Sequence, residues 1–194
     1  MRTKIIAEIG INHNGSMEIA KSLIDVASVA GCDFVKFQKR NPDICVPEEQ
    51  KNKMRETPWG EMTYLDYKWK TEFDRNQYAE LFKYCEHRGI EMFASVWDKD
   101  SVDFMRQFTK VMKIPSALIT NLDLVEYARS HSDFLMISTG MSTEDEITQC
   151  VEVGDPSLIF HTNSSYPSPV EDLNLNYIDH LKETYPDKEI GYSG

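Results

Sequence analysis

The chain has 194 residues, 41% hydrophobic and 27% charged, a mix that supports one packed core and excludes a disordered tail, a collagen-like fibre or a coiled coil. Its 32 acidic residues outnumber 21 basic ones, for a net charge of −11. That balance argues against duplex nucleic acid or an anionic membrane as partner, since both are bound by neutralising phosphates, but it leaves room for a local basic pocket.

Cys32, Cys45, Cys85 and Cys150 form no CxxC pair. Reduced thiols in a cytoplasmic protein are therefore expected, not a disulfide framework or a zinc knuckle. The N-terminus offers only a short apolar run before Glu8 and does not read as a signal peptide. No stretch approaches the roughly 20 apolar residues of a membrane span.

In chain order, Ile5 to Ile11 reads as a strand, and Ser16 to Ala30 as a helix with Ile19, Leu23, Val26, Ala27 and Ala30 at helical spacing, closed by Gly31. Phe34 to Phe37 is a second strand, and 39–73 is a long polar stretch without clear periodicity. Asp74 opens the next helix, with Gln77 at the capping-box position and Tyr78, Leu81, Phe82 and Cys85 on one face. The remainder repeats one unit: strands at 91–96, 111–115, 134–138, 157–161 and 189–193, separated by helices at 99–108, 121–130, 143–152 and 174–185. Strands separated by helices pair in parallel through right-handed crossovers.

The first strand–helix turn, Gly10-Ile11-Asn12-His13-Asn14-Gly15, lacks the G-x-G-x-x-G spacing of a dinucleotide site. Polar residues recur at strand C-termini, where barrel enzymes carry their chemistry. The expected fold is therefore α/β, a (β/α)8 TIM barrel. Such a barrel takes about 250 residues, so this chain is expected to hold an incomplete one, about strands 1–7, and to stop before strand 8.

Lys36 and Lys113 lie inside apolar strand sequence, FVKFQ and VMKIP. Either alone could snorkel or close a buried ion pair. Together with Ser116, Ser138, Thr139 and Ser193 they suggest a cationic, hydroxyl-rich cradle for a phosphate or carboxylate. Glu8, between Ala7 and Ile9, is expected to be shielded, and either salt-bridged or held for proton transfer. His13 and His161 have no metal-ligand spacing and read first as hydrogen-bonded scaffolding. The aromatic segment 57–69 could be a lid, a sugar-facing wall or an interface.

The motifs IAEIGINHNGS (6–16), VKFQ (35–38), GIEMFASVWD (89–98), KIPSALITNL (113–122), ISTGM (137–141), HTNSSYPSPVEDLNL (161–175) and IGYSG (190–194) occur in the order found in the N-acetylneuraminate (sialic acid) synthase family, which the chain resembles along nearly its whole length. The resemblance implies condensation of phosphoenolpyruvate with N-acetylmannosamine or a related N-acetylated hexosamine, giving a nine-carbon sialic acid and phosphate. It also implies a divalent cofactor, Mn2+ or Mg2+, polarising the sugar aldehyde, and a homodimer with a C-terminal antifreeze-like domain.

Carried onto matching positions, Glu8 is the proton-handling glutamate, and Lys36, Lys113 and Ser116 hold the phosphate and carboxylate of phosphoenolpyruvate. Ser138 and Ser193 extend that cradle; Gln38, Ser95 and Tyr166 line the substrate pocket, and Ser164 stands where Asn is common. Leu118 replaces a carboxylate that family members often carry. No metal ligand is expected within the chain, because the family's histidines would follow Gly194, as would strand 8 and the antifreeze-like domain. Three roles follow as expectations: a synthase impaired by truncation, a non-catalytic fragment or subunit completed by another chain, or a related legionaminic- or spore-coat-type sugar synthase.

Overall fold

The computed structural model describes residues 2–165 and 167–194. Tyr166, expected in the substrate pocket, lies outside the described residues. The chain forms two compact units, Met1–Phe108 and Thr109–Gly194.

In the first unit, β1 (Ile6–Gly10), β2 (Phe34–Lys39) and β5 (Glu91–Val96) pair in parallel in that order. Glu8 is opposite Lys36, and Gln38 is opposite Ser95. Side chains alternate along a strand, so Glu8, Lys36, Gln38 and Ser95 share one face. Val35, Phe37, Met92 and Ala94 occupy the other and are buried. β-Branched and aromatic residues fill this pleated surface well.

Helix α1 (Met17–Val29) starts at Ser16, whose hydroxyl accepts from the Ile19 amide. Its buried stripe is Ala20, Ile24 and Ala27, one position round from the expected one. Ile19 and Val26 are exposed. Both stripes are apolar, and the alanines let the helix approach more closely. Helix α5 (Arg75–Arg88) carries the expected Asp74/Gln77 capping box and buries Tyr78, Leu81 and Cys85.

The stretch 39–73 is not featureless. It holds the short helices α2 (Pro42–Cys45) and α3 (Glu48–Lys51), an antiparallel hairpin of β3 (Met54–Thr57) and β4 (Gly60–Thr63), and helix α4 (Tyr64–Lys70). Elements of four to seven residues are too short to show a period. Helix α6 (Lys99–Met105) follows β5, capped by Asp98.

In the second unit, β6 (Val111–Ile114), β7 (Phe134–Ser138), β8 (Leu158–Thr162) and β9 (Glu189–Ser193) pair in parallel in sequence order. They alternate with α7 (Leu122–Ser130), α8 (Glu144–Gly154) and α9 (Tyr177–Thr184). Met112, Ile114, Leu135, Ile137 and Ile159 are fully buried. Each such side chain contributes about 1.5–3 kcal/mol relative to an exposed one. A Thr143/Glu146 capping box starts α8, which fixes the turn leaving β7.

Candidate functional site

In the first unit, Lys36 is only 7% exposed. Its Nζ lies 2.7 Å from Glu8 Oε2 and donates to Ser95 Oγ at 2.9 Å. An ammonium has three N–H donors, so one is left for an incoming anion. Burial pushes the Lys36 pKa below the ordinary lysine value; the Glu8 carboxylate opposes this and Arg40 adds to it. Glu8 itself is not shielded as expected, because its side chain is 51% exposed. In the middle of β1 it pairs with a buried cation while remaining open to solvent, which leaves an oxygen accessible for proton exchange.

Gly10 explains how the carboxylate fits. It has φ +56, and a Cβ there would come 2.8 Å from Glu8 Oε1, so a side chain would clash as well as strain the backbone. Gln38 lies beside Gly10 on the same face, and its carbonyl accepts from the buried Tyr78 hydroxyl at 3.1 Å.

In the second unit, Lys113 Nζ donates to Ser138 Oγ and sits 5.5 Å from the centre of the Phe160 ring. Lys113 and Ser138 are both buried. The Gly140 amide donates to Ser116 Oγ at 3.1 Å. A Cβ on Gly140 would come 2.2 Å from Ser164 Oγ and 2.9 Å from Ser116 Oγ, so glycine is what allows both hydroxyls to close on this turn. Ser116 and Ser164 therefore meet around Gly140; Ser164 is not among the hydroxyls that the residues alone assign to the cradle. Ser193 is in register with Thr162, and its carbonyl accepts from the Asn163 amide; among the described residues no contact draws its hydroxyl into the cluster. Leu118 ends a short 3-10 turn after β6.

His13 and His161 are both buried and hydrogen-bonded to backbone groups. His13 is 2% exposed and stacks on Phe73 at 4.3 Å, and its Nδ1 accepts from the Gly15 amide. Burial, with a smaller push from Arg40, lowers its pKa to about 4, opposed by a hydrogen bond that the ring donates to the Gly10 carbonyl. His161 Nε2 is held by the Leu173 carbonyl.

Sequence reasoning missed a buried charge knot. Glu72, with a side chain 3% exposed, takes Lys39 at 3.1 Å and Arg40 Nε at 2.7 Å. Its position just before the Asp74 cap, inside a stretch read as polar, gave no periodic signal.

Among the described residues no group of three or more His, Cys, Asp or Glu side chains is placed to hold a metal ion.

Parallel strands alternating with helices, each unit with a buried lysine bonded to a serine hydroxyl on the neighbouring strand, define an α/β protein of the (β/α)8 class. The chain belongs to the NeuB family, whose model matches residues 23–194. It is 35% identical over 201 residues to a human N-acetylneuraminate-9-phosphate synthase, covering 98% of this chain and 55% of that protein. It is 31% identical over 202 residues to an N,N'-diacetyllegionaminic acid synthase of Campylobacter jejuni, covering 99% of this chain and 60% of that one. The chain thus spans little more than half the length of these relatives. An N-acetylneuraminic acid synthetase of Leptospira borgpetersenii, solved with citrate, superimposes with a TM-score of 0.88 at 27% identity, covering 99% of this chain and 65% of that one. That likeness fixes the fold class as the expected incomplete (β/α)8 barrel, with seven of its strands in this chain. Among the described residues no helix is long and apolar enough to cross a membrane.

Proposed function

We propose that the protein condenses phosphoenolpyruvate with an N-acetylated amino sugar to give a nine-carbon sugar acid and inorganic phosphate. The observation that carries this reading is a pair of buried lysines, Lys36 and Lys113, each meeting a serine hydroxyl near the end of its strand. Buried cations flanked by hydroxyls suit small anions, because charge-assisted hydrogen bonds gain strength out of water.

In this reading Lys113, Ser116 and Ser138 hold an anionic group of phosphoenolpyruvate, Lys36 and Ser95 hold another, and Gln38 and Ser164 contact the acceptor. C3 of phosphoenolpyruvate attacks the open-chain aldehyde carbon, and that carbonyl oxygen takes a proton. Water adds at C2, and the tetrahedral carbon expels phosphate as the C2 carbonyl forms. Glu8, half-exposed and paired to Lys36, is the group suited to move the proton. A divalent ion and a homodimeric or complementing partner chain belong to the same proposal. So does a cytoplasmic location, which the four free thiols suit.

The relatives named for N-acetylneuraminate-9-phosphate and for diacetyllegionaminic acid support two acceptors, N-acetylmannosamine or its phosphate, and a diacetamido sugar. The test uses the protein expressed from its own gene, supplied with phosphoenolpyruvate, manganese and each acceptor in turn. Phosphate release matched by a nine-carbon acid in the mass spectrum is expected with one class of acceptor. Phosphate release without any acceptor, or none with every acceptor, contradicts the proposal.

A further inference from the structure

The second unit holds a polar cavity of about 420 Å³, within the roughly 300–1,000 Å³ range of small-ligand sites. Met141, Glu144, Ile147, His161, Asn174 and Tyr177 are among its walls, whereas Lys113, Ser116, Ser138 and Ser164 are not. Thr139, counted with the cradle hydroxyls from the sequence, also lines it, but its hydroxyl donates to the Phe160 carbonyl at 3.1 Å. It is built by the turn from β7 into α8, the first turns of α8 and the segment after β8.

His161 is the informative wall. It is 8% exposed, and its Nε2 meets the Leu173 carbonyl at 2.8 Å, so Nε2 must carry the proton of the neutral ring. Nδ1 then presents a lone pair, and no described residue donates to it. The ring is kept in place by Tyr177 at 5.2 Å and Tyr192 at 5.8 Å.

Glu144, with a side chain 56% exposed, also keeps an acceptor open to a ligand. Its Oε1 accepts from the Tyr177 hydroxyl at 2.6 Å and faces His180 at 3.3 Å, while no described residue donates to Oε2. The Asn174 side-chain amide makes no hydrogen bond to a described residue either, and its backbone sits at φ +44. The unused groups are thus mainly acceptors: a carboxylate oxygen, an imidazole nitrogen and an amide oxygen. Beside them Ile147, Met141 and the Tyr177 ring provide apolar surface.

We propose that this cavity binds a hexose-sized polyol, neutral or bearing an amine, at a site separate from the lysine–hydroxyl cluster. Several O–H or N–H donors would meet the three acceptors, and a C–H face of the sugar would lie on the apolar wall. The Glu144 carboxylate repels phosphates and sugar acids, so ligand preference here is the reverse of that at the lysines. The inference does not depend on the proposed condensation.

Titration of the isotopically labelled chain with mannosamine, followed by amide NMR, tests it. Saturable shifts are expected at Glu144, Asn174 and Tyr177, with N-acetylneuraminate giving none there. Glu144→Gln preserves size and removes the charge, and Asn174→Gly removes the amide while suiting the positive φ; each is expected to weaken binding at least fivefold with the remaining spectrum unchanged. Glu189→Gln, paired with Leu158 at the opposite end of β8 from His161, is expected to leave binding as it was. Absence of saturable shifts with mannosamine and glucosamine, equal affinity in the two cavity variants, or binding of the acidic sugar as tightly as the amine overturns the proposal.

Discussion

Glu72→Gln probes the buried charge knot with almost no change in shape. In the native protein the carboxylate is nearly inaccessible and joins two cations, Lys39 and Arg40, that are themselves 8% and 6% exposed. Glutamine keeps the volume but removes the charge. Lys39 then retains the Phe73 carbonyl at 2.9 Å, the Phe104 ring at 4.5 Å and the Tyr78 ring at 5.5 Å. Arg40 retains the face of Trp97 at 5.6 Å, and its Nη2 already lacks a hydrogen-bond partner. Breaking a buried ion pair by removing one partner costs about 3–5 kcal/mol. Cation–π contacts of roughly 0.5–2 kcal/mol are already present and do not replace the lost charge. Against a total stability of about 5–15 kcal/mol, the variant should be severely weakened. Urea denaturation followed by tryptophan fluorescence measures it, since Trp97 borders the knot. A loss of about 3–5 kcal/mol at unchanged m value is expected. Lys182→Ala, which removes the exposed pair with Asp179, should cost under about 1 kcal/mol. A Glu72→Gln loss as small as that of Lys182→Ala would refute the reasoning.

His13 should make stability fall with acid. Its pKa is held near 4 in the fold against 6.5 for the free side chain, so between these values the unfolded chain binds the proton more readily. The stability conferred by a neutral ring is complete above about pH 6.5 and is lost as pH falls through 4, by about 3 kcal/mol in all. His13→Gln should flatten this slope in urea melts taken at several pH values; an identical slope contradicts the assignment. Gly140→Ala should displace the Ser116 and Ser164 hydroxyls, with a packing cost of about 1–3 kcal/mol and at least a tenfold loss of phosphoenolpyruvate affinity by calorimetry. Unchanged affinity would remove these two serines from the binding cluster.

The alternation of strands and helices was legible because β-branched runs and 3.6-residue stripes extend over whole elements, as in β5, α5 and β7. The lysines were legible because a charge inside an apolar strand needs a partner, and the structure supplies Ser95, Glu8 and Ser138. Other features depend on contacts distant in sequence. The exposure of Glu8 depends on what stands over β1, which its apolar neighbours Ala7 and Ile9 do not report. The α1 stripe was misplaced by one position because both candidate stripes are apolar, and close approach favours the one with Ala20 and Ala27. The Glu72 knot and the β3–β4 hairpin fell in short elements without a period. The role of Gly140 becomes visible only when Ser116 and Ser164, each 24 residues away in sequence on opposite sides, are brought together.

The central claim, that buried lysines paired with serine hydroxyls bind phosphoenolpyruvate, is tested most directly by titrating the chain with phosphoenolpyruvate under phosphorus NMR, beside Lys113→Met. Each hydrogen bond to a charged group contributes about 1.5–3 kcal/mol, so saturable binding to the native chain should weaken by at least tenfold in the variant. Saturable binding that survives Lys113→Met undiminished would contradict the account, as would the absence of any saturable binding to the native chain.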